Sequence, residues 1–289
     1  MFKNFKQDVI EVNGVNINYK IGGKGEPLLL LHGYPQSHVL WRKIAPLFAE
    51  NYTVICSDLR GYGDSDKPQS DKKHLTYSKK TMGLDQNELM KKLGFNEYFL
   101  VGHDRGGRVA HRMAIDFKEN IKKISVLDIV PTSHVFKNTN AILAKRYYHW
   151  FFLIQSYPLP ETMIGNDPEY YMRSKLQMWG ANNEYLTEEI IQEYLRCFTT
   201  ETIQASCEDY RAGASIDLVH HEEDFDKKIS CPLQVLWGSK ATLEELYDPI
   251  KVWKEWALNV EGQSIDCGHF LPEESPIETY NAIINFFKK

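Results

Sequence analysis

Tyr98-Phe99-Leu100-Val101-Gly102-His103-Asp104-Arg105-Gly106-Gly107-Arg108-Val109-Ala110-His111-Arg112-Met113-Ala114 is the stretch that decides how the chain folds. Tyr98 to Val101 form a short apolar run, which predicts a strand buried on both faces. A Gly-x-Asp-x-Gly turn follows at Gly102, Asp104 and Gly106, and Val109, Ala110, Met113 and Ala114 then recur at helical spacing. A strand that passes through a sharp glycine turn into a helix is the setting of a nucleophile elbow, which exposes one reactive side chain at the end of the strand. The glycines are needed because the bend is strained and leaves no room for side chains beside the nucleophile. Here the residue at the apex is an aspartate, where the motif usually holds serine. A serine needs a base to lose its proton, whereas a carboxylate with a pKa near ~4 is already ionised at neutral pH. Asp104 can therefore attack a saturated carbon and displace a leaving group, forming an alkyl ester on the protein. A surface aspartate in an ordinary turn is the plainer account of Gly-x-Asp-x-Gly taken alone. The buried strand before it, and the partners identified below, weigh against that account.

Around the elbow, strands and helices alternate. Val9 to Tyr19 reads as a hairpin turning at Asn13-Gly14. Pro27 to Leu31 is a central strand running into His32-Gly33-Tyr34-Pro35, then a helical stretch through Trp41, Ile44, Leu47 and Phe48. Tyr52 to Cys56 is a further strand, a helix from Tyr77 to Leu93 leads into the elbow strand, and Ile121 to Ile129 gives the next strand. From Pro131 to Lys228 no strand signal appears. Alternation resumes with Leu233 to Trp237, a helix over Ile250 to Trp256, a short strand before Cys267 and a last helix reaching Phe287. The pattern predicts an α/β fold with a doubly wound, mostly parallel sheet and its site at the carboxyl ends of the strands. Residues 1–130 and 229–289 form the core domain on this reading, and 131–228 a helical cap inserted over the strand ends.

Composition bounds the function. With 289 residues, 43% of them hydrophobic, the chain can bury a full core. A net charge of −5 argues against nucleic acid or an anionic membrane as partner. Five scattered cysteines without metal-ligand spacing are expected as buried thiols in a reducing compartment. No apolar run is long enough to span a bilayer and the first residues lack a signal-peptide core, so a soluble cytoplasmic protein is expected. No metal or organic cofactor is implied.

The remaining catalytic groups follow from chain order. His269, in Asp266-Cys267-Gly268-His269-Phe270, lies between the last strand and the last helix, where an α/β-hydrolase carries its histidine. After Asp104 is alkylated, such a histidine activates the water that cleaves the ester. A carboxylate should orient its imidazole. The loop after the penultimate strand, Trp237 to Leu243, offers none, and Glu244, Glu245 and Asp248 look like helix-start or surface charges. Asp128, by contrast, stands inside the apolar run Val126 to Val130, where a buried charge needs a partner. Asp128 is therefore the expected acid. The amides of Arg105 and Tyr34 would form the oxyanion hole.

Together, the elbow, the His-Gly-Tyr-Pro loop, Asp58-Leu59-Arg60-Gly61-Tyr62-Gly63 and the C-terminal histidine resemble the aspartate-nucleophile branch of the α/β-hydrolases, which includes epoxide hydrolases and dehalogenases. Within that branch the chain is most similar to the haloacetate (fluoroacetate) dehalogenases, through Gly102 to Arg108, Val126 to Thr132, Tyr148-His149-Trp150 and Asp209 to Gly213. The resemblance implies a triad of Asp104, Asp128 and His269, a substrate carboxylate held by Arg105 and Arg108, and a departing halide held by His149, Trp150 and Tyr210. It also implies a small 2-haloacid substrate and a homodimer. Two guanidinium groups in the first turn of the elbow helix suit an anionic substrate independently, because they offset its repulsion from Asp104. Haloalkane dehalogenases have tryptophan and asparagine where this chain has Arg105 and Tyr34, so a neutral haloalkane is disfavoured. Two alternatives stay open. An epoxide hydrolase would use cap tyrosines, which are plentiful here, and a non-catalytic binding protein could share the fold.

Overall fold

The computed structural model describes residues 1–289. Eight strands form a single sheet: β1 (Lys6–Val12), β2 (Val15–Gly23), β3 (Glu26–Leu31), β4 (Tyr52–Ser57), β5 (Tyr98–His103), β6 (Ile121–Leu127), β7 (Leu233–Gly238) and β8 (Val260–Ile265). Their spatial order is β1-β2-β4-β3-β5-β6-β7-β8. β1 and β2 pair antiparallel, as do β2 and β4, and every other neighbour is parallel. The order reverses between β4–β3 and β3–β5, so a crevice opens at the carboxyl ends of β3 and β5, beside the elbow.

Local chemistry explains these elements. Asn13 and Gly14 both have positive φ, +47° and +74°, as a tight hairpin turn that follows strand twist requires. In β3 all four leucines, Leu28 to Leu31, are fully buried. Leu28 and Leu30 pack with Trp41, Phe48 and Phe287 on one face, while Leu29 and Leu31 pack with Val109 and Met113 on the other. Side chains alternate across a strand, so a strand covered on both sides has no position left for a polar residue. The helix expected from Tyr77 runs Lys79–Lys92, because Ser78 turns out of it and accepts a hydrogen bond from the Thr81 amide.

The strand expected to reach Ile129 stops at Leu127, since Asp128 takes φ +53° and leaves the ladder. Eight helices, from Thr132–Lys137 to Ile216–Glu223, lie between β6 and β7 with no strand among them. All five cysteines are free and buried. No helix is long and apolar enough to cross a membrane.

Candidate active site

The elbow spans the end of β5 and the helix Arg105–Asp116. Asp104 itself carries the strain, at φ 46° and ψ −114°, while its glycines provide space. A Cβ on Gly106 would stand 2.3 Å from the His32 carbonyl oxygen, and one on Gly102 would stand 2.4 Å from that of Gly106. Any side chain there would push the helix off the sheet. The Asp104 carboxylate opens into a cavity of about 320 Å³ whose walls include Arg108, Asp128, His149, Trp150 and His269. Asp104 Oδ1 accepts the Tyr34 amide at 2.9 Å, so an expected oxyanion donor already holds one carboxylate oxygen. The other oxygen is left to react. Burial alone would raise the Asp104 pKa, but His269, Arg108 and Arg105 outweigh it and hold the group below its ordinary value.

His269 Nδ1–H donates to Asp128 Oδ2 at 2.6 Å. The other Asp128 oxygen accepts the Gly238 amide at 3.1 Å, at the end of β7. The left-handed turn at residue 128 thus swings a carboxylate from β6 to the place a β7 loop would otherwise reach. Burial would lower the His269 pKa, but the hydrogen bond and charge of Asp128, together with Asp104, raise it above the ordinary value. His103 packs against this imidazole with ring centroids 4.6 Å apart, and its Nε2–H donates to the His269 carbonyl at 2.8 Å. Burial, and then His269, push the His103 pKa down to about 3, which keeps that ring neutral.

The two arginines part company. Arg108 lines the cavity, stacks 4.5 Å from the Trp150 ring, and donates through Nη1 to Val130 O at 2.9 Å and Thr132 Oγ1 at 3.0 Å. It has no carboxylate partner, and its buried Nε is unpaired. Burial and the nearby Arg105 charge lower its pKa to about 10. Arg105 instead turns behind the wall. Its Nε and Nη2 donate to the Asp209 carboxylate at 2.8 and 2.7 Å, and the guanidinium lies 4.2 Å from the Tyr210 ring centroid. Lys79 and the Tyr62 hydroxyl bind the same carboxylate. The expectation of two free cations side by side therefore needs amendment, because one of them has a resident anion.

Of the three expected halide donors, His149 and Trp150 line the cavity, whereas Tyr210 is fully buried behind them. Its ring meets those of His149 and Trp150 edge-on at 5.7 and 6.0 Å. Four further residues shape the site and were not picked out by sequence reasoning. Tyr147 and Trp179 line the cavity, Asp209 neutralises Arg105, and Lys175 sits fully buried among Tyr148, Tyr171 and Trp179. Burial pulls the Lys175 pKa down to about 8. No group of three or more His, Cys, Asp or Glu side chains is arranged to hold a metal ion.

The arrangement contains a strained, ionised carboxylate, a histidine–aspartate pair and a free cation around one cavity, which suits hydrolysis through a nucleophile. Comparisons with known proteins agree at that level. The family model of the α/β hydrolase fold matches residues 26–276. A fluoroacetate dehalogenase of Burkholderia sp is 41% identical over 288 residues, covering 99% of this chain and 95% of the relative. The soluble epoxide hydrolase of Corynebacterium sp. strain C12 is 34% identical over 281 residues, covering 96% and 95%. The crystal structure of ALR0039, from Nostoc sp PCC 7120, superposes with a TM-score of 0.98 at 53% identity and covers 99% of both chains.

Proposed function

We propose that this chain, which belongs to the α/β-hydrolase fold family and within it to the group that includes the fluoroacetate dehalogenase above, converts haloacetate, fluoroacetate included, to glycolate and halide. The observation that carries this reading is Arg108, a buried guanidinium that shares the nucleophile's cavity and is paired with no carboxylate. A buried cation of that kind needs an anionic visitor. A 2-haloacid supplies one.

In this reading the substrate carboxylate docks on Arg108, with Arg105 contributing from behind, and its α-carbon faces Asp104. The free oxygen of Asp104 attacks that carbon and the carbon–halogen bond breaks with its electron pair leaving on the halide. His149 and Trp150 offer hydrogen-bond donors for that halide from the cavity wall, and Tyr210 backs both rings. The product is a carboxymethyl ester on Asp104. Once esterified, Asp104 no longer repels a second nucleophile. His269 then takes a proton from water and the hydroxide adds to the Asp104 carbonyl carbon. The Tyr34 and Arg105 amides stabilise the oxyanion. Collapse expels the glycolate oxygen, which takes back the proton held on His269, and the carboxyl left on Asp104 loses its proton to solvent; the carboxylate is restored with one water oxygen kept in Asp104.

The helical segment 131–228 acts as a cap in this scheme, closing the cavity over the strand ends. The same reading includes a homodimer, a cytoplasmic setting and no cofactor. Tyr157, Leu159, Met163 and Tyr170 are large apolar side chains left exposed on that segment, and they would supply apolar area for self-association.

An epoxide hydrolase is the second reading, favoured by the similarity to the Corynebacterium enzyme and by Tyr147, whose hydroxyl-bearing ring lines the cavity. It leaves the unpaired Arg108 without a task. A non-catalytic binding protein is less consistent with a complete nucleophile, base and acid. Halide release from fluoroacetate, chloroacetate and 2-chloropropionate by the purified protein tests the proposal. Turnover of styrene oxide with no halide release from any acid would replace it with the epoxide reading.

A further inference from the structure

The loop that carries His269 is held from an unexpected side. Glu274, five residues beyond it, turns its half-buried carboxylate back onto the loop. Its Oε2 accepts the Gly268 amide at 2.9 Å and its Oε1 accepts the Phe270 amide at 2.9 Å, so the residues on both sides of His269 hang from one side chain. The same Oε2 accepts the amide of Ala181 at 2.7 Å, in the turn after the cap helix Pro168–Trp179. One residue pair away, the His269 amide donates to the Trp179 carbonyl at 2.9 Å. Gly268 permits this contact: a Cβ there would stand 2.4 Å from the Ala181 nitrogen and 2.7 Å from the Trp179 oxygen.

The preceding residue has a separate task. Glu273 is fully buried and faces the other way, accepting from Gln36 and from the cap residue Tyr194 and pairing with Arg42. Glu273 ties the cap to the core, whereas Glu274 ties both to the backbone of the base. Asp128 fixes the imidazole through Nδ1, but that bond alone leaves the ring free to pivot about it. Restraining the main chain on both sides of His269 removes that freedom.

We propose that Glu274 is a positioning residue, a latch by which docking of the 179–181 cap turn sets His269 for the water-activating step. This rests on the hydrolytic reading of the site. Because the latch serves His269 and not Asp104, its loss slows ester hydrolysis and spares alkylation. Small misplacements of a reacting group cost on the order of 100-fold in rate, so the steady-state rate should fall about 10- to 100-fold. Glu274 is also one of three anionic side chains near the imidazole, with Asp128 and Asp104, while the facing rings of His103 and His149 are kept neutral by burial. Removing its charge therefore shifts the His269 titration midpoint downwards.

The test compares the full-length protein with its Glu274→Gln, Glu274→Ala and Glu274→Asp variants. Rapid-quench measurement with chloroacetate should show a halide burst of about one equivalent per site at the wild-type rate in Glu274→Gln, then a slowed steady state, with the ester on Asp104 seen by mass spectrometry. Nitrogen-15 NMR of the His269 ring, which needs no substrate, should show the lowered midpoint in Glu274→Gln and a near-native one in Glu274→Asp. If burst and steady state fall together, or if the ring titrates unchanged in Glu274→Gln, Glu274 has only a structural role. Should Glu274→Ala fail to fold, the Gln and Asp variants carry the same readouts. Absence of halide release by the wild type would sink the dehalogenase reading, and the NMR titration would still judge the latch.

Discussion

The divergent arginines make a quantitative prediction about which of them reads the substrate carboxylate. Arg108 has no anionic partner, so replacing it with glutamine removes contacts to the substrate with no carboxylate left stranded. A charge-assisted hydrogen bond contributes about 1.5 kcal/mol or more. Losing a two-pronged contact should then cost about 3 kcal/mol, or about 150-fold in kcat/KM for chloroacetate. Chloroacetamide, which lacks the charge, should lose far less. Arg105→Gln acts differently. It leaves Asp209, fully buried, with Lys79 and the Tyr62 hydroxyl but without its main cation. Removing one partner of a buried pair costs on the order of 3–5 kcal/mol of stability. At roughly 2 °C per kcal/mol for a chain of this size, Tm should drop by about 6–10 °C. The double variant Arg105→Gln/Asp209→Asn removes both charges, leaves Lys79 facing Asp217 at 3.6 Å, and should recover most of that loss. Calorimetry and ion-selective halide assays on the four proteins decide the matter. If the stable double variant loses as much kcat/KM on chloroacetate as Arg108→Gln, Arg105 shares the carboxylate equally and the division of labour is wrong.

Further outcomes follow from the same geometry. His269→Gln should release about one equivalent of halide per site and then stop, with a persistent ester on Asp104; continued turnover would show that water is activated elsewhere. The pH profile has a defined sign: His269 works as a base only when neutral, so kcat falls as pH drops through its titration in the ester. Because Asp104 is among the groups that raise that pKa, the acid limb of kcat should lie below the midpoint measured by NMR in the resting protein, and coincident values would contradict the coupling. Trp150→Phe should impair fluoroacetate turnover more than chloroacetate turnover, by about 10- to 100-fold against a few-fold, since a donor hydrogen bond to a small anion is worth about 1.5–3 kcal/mol. Equal losses remove Trp150 from the halide role. Sedimentation velocity should give a dimer, and Tyr170→Glu with Met163→Glu should yield monomers; a wild-type monomer across micromolar concentrations refutes that arrangement.

What could be read from sequence was whatever local chemistry dictates. The buried strands announced themselves because leucines on consecutive positions of β3 have no solvent face to spare. Asp128 was legible because a charge inside an apolar run has to be paired, although the sequence did not show that it reaches Gly238 at the end of β7 by leaving the strand with a positive φ. The resident partner of Arg105 was not legible, for the opposite reason. That partner, Asp209, is 104 positions away on a helix of the insertion, and no local pattern ties the two. Nothing local marks Lys175, which only tertiary packing buries against three aromatic rings. Glu274 carries no local signal either, because one of its backbone partners, the Ala181 amide, is brought in from the insertion.

These placements add up to a charge sequence that suits two successive steps. Arg105, Lys79, Asp209 and Asp217 form a buried cluster of two cations and two anions beside the cavity. The cavity is lined by the two carboxylates Asp104 and Asp128, by Arg108 and His269, and by Lys145, Arg146 and Lys240. While Asp104 is ionised, it and Asp128 both favour the protonated imidazole over the neutral one. Alkylation converts Asp104 to a neutral ester and removes one of the two nearest anions from His269. The imidazole then gives up its proton more readily, at the moment a base is required. A serine at position 104 would be neutral before and after attack and could not switch its neighbour in this way, which is the physical reason an aspartate at the elbow and a histidine held by Asp128 belong to one mechanism.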